Sequence, residues 1–415
     1  MRLRAAVAAA AAGGLLPPMA SAQSVSLAAT SDLTFITGAR SMAPQQTAPP
    51  TGIYVSYASK ITLTGSNSSS TETSASSATG TSTQSSEPPR NTQPCNNYLE
   101  LCGRRYGNIT NVGAHNSPFV RPGNSGSNQE LPVKTQLDDG VRLVQGQMQW
   151  PVNGSVPHFC HTTCDLLDAG PITDWLTQVR EWVDAHPYDV VTVLLGNGNY
   201  STPDLYAPYI EQTGILKYTY EAPFLPMALD DWPTLEDLIV RGKRVVMFMD
   251  YKADQKKYPW LLDEFAHMWE SPFDPQDRNF PCPVQRPPGL SNETARDRLY
   301  LANHNLNVQF NVFGAEVLVP AVAVLNQTNA AEGPGSLGLA ANNCRNDWGR
   351  TPNFLHVDYY NYGQPPGSVF EVAARANNVT YNRTCCGKVS SAPATLGGAL
   401  WPSVATLMLA MFLIL

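Results

Sequence analysis

The stretch ITDWLTQVREWVDAHPYDVVTVLLGN, residues 172–197, contains one complete helix–strand unit. Its first part has apolar residues at helical spacing, and it ends at Pro187, which cannot continue a helix. Its second part, DVVTVLLGN, is a continuous apolar run, which is typical of a strand covered on both faces. The predicted helix face consists of Ile172, Trp175, Leu176, Val179, Trp182 and Val183.

The same unit recurs along the chain. TLEDLIVRG predicts a helix that closes on a glycine, and RVVMFMDY predicts the buried strand after it. Other β-like runs are NITNVGA, VRLVQGQM, SVPHFCH, LYLANHN and FLHVDYYNYG. Repeated βα units predict an α/β fold with a parallel sheet. For residues 93–387 we expect a TIM-type (β/α) barrel, distorted or incomplete, with an open doubly wound sheet as the alternative.

Both ends of the chain carry patterns typical of proteins that leave the cell. Residues 1–22 combine the basic start MRLR, a short apolar run and the small residues ASA, as in a secretory signal peptide. Residues 388–415 run from small and polar residues into an uncharged apolar end. This pattern predicts a glycosylphosphatidylinositol (GPI) signal, with attachment near Ser390 or Ser391. A plain C-terminal membrane helix is the alternative, and either predicts a protein at the cell surface.

The region after the signal peptide, residues 23–92, is of low complexity. From Thr64 to Ser86, 16 of 23 residues are Ser or Thr. Such a segment buries too little apolar surface to offset the entropy of ordering it, so we interpret it as an O-glycosylated linker. Residues 23–63 contain runs such as GIYVSYASKITL, which are too short for a domain of their own.

The net charge, the glycosylation sequons and the cysteines indicate a secreted protein that does not bind nucleic acid. The formal net charge is -7 and there is no basic run, so a nucleic-acid partner is not expected. The eight cysteines predict disulfides in an oxidising compartment. The sequence leaves the connectivity open. Because a closed barrel brings its ends together, one pairing that it suggests joins Cys385 or Cys386 to Cys95 or Cys102. The N-x-[ST] sequons are at Asn67, Asn108, Asn153, Asn199, Asn292, Asn326, Asn378 and Asn382.

Polar residues at the predicted strand ends are the candidates for a site, because barrel enzymes carry their chemistry there. Two of the histidines among them, His115 and His161, face one opening, and such a pair can supply a general base and a general acid for phosphodiester cleavage. The alternative is that each is a hydrogen-bonded structural residue. The candidates are His115, Asn116, Gln145, Gln147, His161, Asn197, Asn199, Asp250, Lys252, Asn303, His304 and Asp358.

The run HFCHTTC also has the spacing of zinc ligands. In a secreted chain Cys160 and Cys164 are expected to be oxidised, which removes the thiolates that such a site needs.

Four motifs in this order resemble the phosphatidylinositol-specific phospholipase C (PI-PLC) X-domain superfamily: GAHNSP, QLDDGVRLVQGQMQW, PHFCHTTCDLLDAG and EWVDAHPYDVVTVLLGN. The similarity extends over about residues 95–385 and is most specific in 108–200. Within the superfamily, the chain resembles the secreted fungal PLC-like phosphodiesterases. The resemblance implies a distorted TIM barrel that cleaves phosphodiesters with a pair of histidines.

The resemblance assigns roles to individual residues. His115 corresponds to the general base on the inositol 2-hydroxyl, and His161 to the general acid on the leaving group. Asp358 would orient His115, by analogy with the family's His–Asp pairing. Asn116 takes a position that is Asp in bacterial members and a calcium-binding Asn in eukaryotic signalling members.

The second motif departs from the family. Gln145 and Gln147 stand where bacterial members carry Asp and Arg, and calcium-dependent members carry Glu and Asp. Amides supply neither anionic calcium ligands nor a guanidinium clamp. We therefore predict no metal and no cofactor, with Asn116, Gln145, Gln147, Arg142 and Lys252 as substrate-binding residues.

Three hypotheses follow. The first is a phosphoric diester hydrolase or lyase, metal-independent, on an inositol-containing phospholipid or glycolipid. The second is an inactive barrel that serves as a cell-surface binding or wall protein, which the two glutamines favour and the two histidines oppose. The third is an enzyme for a phosphodiester that is not a lipid.

Overall fold

The computed structural model describes residues 52–55, 57, 59–63, 92–312 and 315–386. Its main sheet has eight parallel strands, numbered β1–β8 in chain order, and a short antiparallel hairpin attached to it. The strands are β1 (Asn111–Ala114), β2 (Leu143–Gln149), β3 (Val191–Asn197), β4 (Val245–Met249), β5 (Leu262–Asp263), β6 (Met268–Glu270), β7 (Leu299–Asn303) and β8 (Phe354–Val357).

The strand order follows the chain around the sheet. Apart from β5 and β6, each strand pairs with the next, and β8 returns to pair with β1, so that His356 lies opposite Gly113. In a doubly wound sheet the order reverses at a switch point instead. The TIM-type barrel prediction is therefore confirmed. Among the described residues β5 and β6 are not paired with each other, and we call this opening the seam.

Helices cover the outside of the sheet. The predicted amphipathic helix is Ile172–Ala185, and it buries the whole predicted face. Thr234 caps the helix Leu235–Val240 by accepting a hydrogen bond from the Asp237 backbone N–H. The other α-helices are Leu99–Cys102, Val133–Asp139, Ala207–Glu211, Glu264–His267, Asn292–Arg296, Leu325–Thr328, Leu337–Trp348 and Ser368–Ala376.

The core has two layers because side chains alternate between the faces of a strand. Outward residues of the strands pack with the helices; Val144, Val193 and Leu355 belong to this cluster. Inward residues fill the lower barrel: Leu143, Leu194, Phe248, Leu301 and Phe354. By the same alternation, the inward side chains near the ends of the strands line the open, C-terminal end of the barrel. We call this end the mouth.

The prediction that SVPHFCH is a barrel strand was wrong. His158–His161 runs antiparallel to the end of β2, with Met148 opposite Phe159, and forms a hairpin with Leu167–Pro171. A parallel strand needs a crossover of a dozen or more residues, whereas eight residues separate β2 from this strand. Gly146 permits the close approach, since a Cβ there would lie 2.8 Å from Phe159 Cδ1.

The disulfide expectation was also wrong. Cys95 pairs with Cys102, and the adjacent residues Cys385 and Cys386 pair with each other. The two cysteines of each pair are close in the chain, seven residues and one residue apart, so each disulfide forms locally and does not join the two ends of the barrel. The remaining disulfides are Cys160–Cys164 and Cys282–Cys344.

Part of the region left unassigned by composition packs on the barrel. Ile61–Thr62 forms antiparallel pairs with Phe224–Leu225. Residues that precede the Ser/Thr-rich segment therefore pack against the domain predicted for residues 93–387. No helix among the described residues is long and apolar enough to cross a bilayer. The predicted signal peptide, linker and GPI signal lie outside the described residues.

A further hairpin, Asn307–Val312 with Ala315–Pro320, follows β7.

Candidate active site

The mouth is lined by polar side chains from the strand ends. Gly113 occupies an inward position of β1, and a Cβ there would lie 2.5 Å from Leu143 Cδ2 and 3.1 Å from His356 Cδ2. The absent side chain lets the neighbouring strands close around His115, two residues further on. His115 is held at the end of β1 by a hydrogen bond from its backbone N–H to the Val357 carbonyl, 3.0 Å.

The His115 imidazole is oriented by Asp358. His115 Nδ1 lies 2.8 Å from Asp358 Oδ1, and Asn128 Nδ2 donates to the same oxygen at 2.9 Å. Both His115 and Asp358 are buried, with 5% and 2% of their surface exposed. Because an ionised carboxylate only accepts hydrogen bonds, we assign the His115 proton to Nδ1. Nε2 then carries the lone pair that a general base needs.

His161 lies at the end of the attached hairpin strand, over the same end of β2. Its ring meets Phe119 edge to face, with centroids 5.3 Å apart. Burial lowers the pKa of His161 to about 3, and the nearby His115 contributes to the lowering. With no anion bound, His161 is therefore neutral at physiological pH. An anionic group between the two histidines would favour its protonated form.

Asn116 and the two glutamines present amide N–H groups to the mouth. The Asn116 backbone N–H donates to Gln145 Oε1 at 2.7 Å, and its side-chain amide donates to Asn128 at 3.2 Å. Gln149 Nε2 donates to Gln147 Oε1 at 3.0 Å and to the Thr162 carbonyl at 2.9 Å. Since both glutamine oxygens accept internal hydrogen bonds, their NH₂ groups remain as donors. Such donors suit an anion and not a metal cation.

Asp250 and Lys252 follow β4. Asp250 Oδ1 accepts hydrogen bonds from the backbone N–H groups of Asn197 and Tyr251, both at 2.7 Å. Burial nevertheless raises the pKa of Asp250 to about 7. Lys252 is exposed, and its backbone φ is 56°. The structure therefore places Lys252 near the mouth but on its surface.

Arg142 lies away from the other candidates. It precedes β2, at the opposite end of the barrel, where Nη2 donates to Asp189 Oδ1 at 2.7 Å. Nη1 donates to the carbonyls of Leu137 and Val141. The prediction that Arg142 binds substrate is corrected: its N–H groups serve backbone carbonyls and one buried ion pair.

Sequence reasoning missed a polar chain on β6–β8. Arg286 Nε and Nη2 donate to Glu270 Oε2 at 2.8 and 2.6 Å. Asn303 Nδ2 donates to the same oxygen at 3.1 Å. Asn303 Oδ1 is 3.2 Å from His356 Nδ1, and the His356 ring lies 5.1 Å from that of His115. The chain therefore connects Arg286 with the candidate base.

Little in the sequence pointed to this chain. The strand that ends at Glu270 has three residues, and Arg286 comes from a loop without a periodic pattern. His356 lies within the buried strand β8.

Asp274 adds a carboxyl group to the same end. Burial raises its pKa, while the charges of His115 and Arg286 lower it. Asp274 is therefore within electrostatic reach of both. It follows β6 in a loop, where nothing in the residue pattern marked it.

The zinc alternative is not supported. Cys160 and Cys164 form a disulfide, and His158 Nδ1 is paired with Asp168 Oδ2 at 2.8 Å. Among the residues that the structure describes, Asp139, Cys385 and Cys386 form the one group with metal-ligand spacing, but both cysteines are oxidised.

The family of the chain follows from its similarity to known proteins. The family model described as PI-PLC X 1 matches residues 101–372, and the chain belongs to this PI-PLC X family. A protein of Arthroderma benhamiae named "PI-PLC X domain-containing protein 1" is 43% identical over 65% of this chain and 86% of its own length.

Two further matches are a sequence and a solved structure. An "Uncharacterized secreted protein" of the same fungus is 54% identical over 74% of this chain and 69% of its own length. The phosphatidylinositol-specific phospholipase C of Listeria monocytogenes has 13% identity and a TM-score of 0.41 over 66% of this chain and 95% of its own. The family model and the 43% identical relative confirm the resemblance to the PI-PLC X superfamily.

Proposed function

We propose that this protein is a metal-independent phosphodiesterase that cleaves an inositol-containing phospholipid or glycolipid. The observation that carries the proposal is the buried His115–Asp358 pair at the barrel mouth, 2.8 Å apart. Membership of the PI-PLC X family supports the same kind of chemistry. The free NH₂ groups of Gln145 and Gln147 support phosphate binding without a metal.

The reaction would proceed by attack of a neighbouring hydroxyl. His115 Nε2 takes the proton of the inositol 2-hydroxyl, and that oxygen forms a bond to phosphorus. The bond from phosphorus to the lipid oxygen breaks, and protonated His161 gives its proton to this leaving oxygen. The products are a cyclic inositol phosphate and a neutral lipid alcohol. The bound phosphate would raise the low pKa of His161, so that the substrate itself promotes protonation of the acid.

The test is release of cyclic inositol phosphate from phosphatidylinositol vesicles, measured with EDTA and with calcium. We expect equal rates in both conditions, and losses of about 10²-fold or more in His115→Ala and His161→Ala. His158→Ala is the matched control on the same hairpin, because His158 pairs with Asp168 outside the mouth. No release by the folded wild-type protein would favour the inactive barrel or a different phosphodiester. Activity that EDTA abolishes would contradict the metal-independent mechanism.

We also propose that the protein is secreted and held at the outer leaflet by a GPI anchor. Its disulfides, the N- and C-terminal sequence patterns and the secreted relative support this location. Deletion of residues 388–415 should move the protein from the membrane fraction into the medium. Retention of the truncated protein on the membrane would contradict the anchor.

A further inference from the structure

An N-terminal segment, residues 52–55, 57 and 59–63, packs on the barrel beside the end of β5, at one edge of the seam, and we call it the strap. One end is held by the antiparallel pairing of Ile61–Thr62 and by a hydrogen bond from Leu63 N–H to the Pro223 carbonyl, 3.0 Å. Further along, Tyr57 Oη donates to Asp263 Oδ2 at 2.9 Å. Asp263 is the last residue of β5, so the strap is bonded to one edge of the seam.

The other end of the strap packs near the mouth. The Tyr54 ring meets Phe265 and Tyr251 edge to face, with centroids 4.9 and 5.5 Å apart. Ile53 joins the same apolar cluster and is 5% exposed. The apolar surface that Ile53 and the aromatic rings bury together holds this end of the strap on the barrel.

Tyr251 is the link from the strap to the site. Arg286 Nη1 donates to Tyr251 Oη at 2.8 Å, while its other nitrogens hold Glu270. The guanidinium also stacks on Phe273, 3.9 Å from the ring centroid. The position of Arg286 thus depends on Tyr251, and the Tyr251 ring is packed by Tyr54.

The strap is a feature of this chain beyond the family match, since it precedes residues 101–372. The Ser/Thr-rich segment that follows it in the sequence joins it covalently to the barrel. A tethered segment rebinds readily because its effective concentration is high.

We propose that the strap is part of the wall of the active site and that Tyr54 is a positioning residue for Arg286. Without the Tyr54 ring, Tyr251 has more rotational freedom, and Arg286 loses a fixed hydrogen-bond partner. The Arg286–Glu270 pair at the end of β6 is then less ordered before substrate binds, and the cost of ordering it weakens binding. The kinetic part of this inference rests on the proposed phosphodiesterase function; the structural part does not.

The experiment compares Tyr54→Ala with Val55→Ala in the full secreted chain. Val55 is the next strap residue and is 48% exposed, so it is a matched control. Hydrogen–deuterium exchange of residues 249–252 and 284–287 measures order around Tyr251 and Arg286 without any substrate. We expect faster exchange in Tyr54→Ala alone. KM for phosphatidylinositol should rise roughly fivefold with kcat within about twofold, the pattern of lost uniform binding.

Tyr54→Phe keeps the ring and loses only the long 3.4 Å contact between the two tyrosine hydroxyls. We expect it to restore wild-type exchange and KM. Unchanged exchange in Tyr54→Ala would overturn the inference whatever the activity. Faster exchange with unchanged KM in an active protein would also overturn it. Faster exchange with an inactive wild type would support the positioning of Arg286 and contradict the proposed function instead.

Discussion

Arg142, which is buried, and Arg286, which is mostly buried, are both arginines bound to a carboxylate, yet they lie at opposite ends of the barrel. Their side chains are 4% and 12% exposed. Arg142 precedes a strand, and Arg286 binds the residue that ends one. In TIM barrels, residues at the N-terminal ends of the strands contribute to stability, and residues at the C-terminal ends carry out the chemistry. Type and burial of a residue therefore say less about its role than the end of the strand at which it stands.

The partners of the two arginines show the same difference. Besides its carboxylate, Arg142 donates to backbone carbonyls, as does Arg244, whose Nη1 binds the carbonyls of Val183 and His186. These bonds satisfy groups at helix ends. Arg286 instead binds Glu270, which continues through Asn303 towards His356. One end of the barrel is closed by backbone contacts, and the other offers side chains to a ligand.

The largest effect that we expect belongs to the mouth. His115→Ala removes the candidate base and should lower kcat about 10³-fold, the middle of the range for a general base. The free energy of unfolding should change little in comparison, since one buried ring is lost at the edge of the core. Phosphatidylinositol cleavage and urea unfolding measure the two effects. Wild-type turnover in this variant would contradict the role of His115.

The second prediction concerns the opposite end. Arg142→Met leaves Asp189 without its partner and should lower the free energy of unfolding by about 3 kcal/mol. KM of the folded fraction should equal that of wild type. Arg286→Met is the comparison, because it should raise KM. Urea titration and steady-state kinetics are measured on both variants, and a raised KM in Arg142→Met would break the proposed division between the two ends.

The third prediction tests the orientation of the base. Asp358→Asn should lower kcat/KM about 10²-fold, because an amide no longer fixes the His115 tautomer or stabilises its protonated form. Asp168→Asn is the matched control, since it alters the partly exposed His158–Asp168 pair of the hairpin. Equal losses in both variants would show that Asp358 has no special role at the site.

The smallest effect is a pH dependence at the mouth. Folded Asp250 holds its proton up to about pH 7, compared with an ordinary pKa of 3.8. In the unfolded chain the carboxyl group loses this proton at a lower pH than in the folded protein. The free energy of unfolding of the wild type therefore falls as the pH rises from about 4 to 7.

Asp250→Asn does not titrate and can still accept the two backbone hydrogen bonds. Relative to wild type, the free energy of unfolding of the variant should rise between pH 4 and pH 8 in urea unfolding experiments. Asp254→Asn, at an exposed position of the same loop, is the control. A difference that stays constant with pH would contradict a raised pKa at Asp250.

The sequence predicted the elements with strong local patterns. The helix face from Ile172 to Val183, the strands β3, β4, β7 and β8, and the positions of His115 and Asp358 at strand ends all follow from periodicity and strand polarity. The hairpin with His158–His161 was misinterpreted because a short apolar run has the same pattern in a parallel strand and in an antiparallel one. Its direction depends on the length of the connection to β2.

What the sequence determined by itself was therefore local: which segments are helical or extended, and which polar residues end a strand. The fold class and the His115–Asp358 pair follow from these patterns and the family resemblance. Only the tertiary structure decided that Arg286, Glu270 and Asn303 meet, and that the Tyr54 ring packs against Tyr251. Those contacts join residues far apart in the chain. Hydrophobic periodicity and helix capping are local patterns, and they do not indicate which distant residues will be in contact.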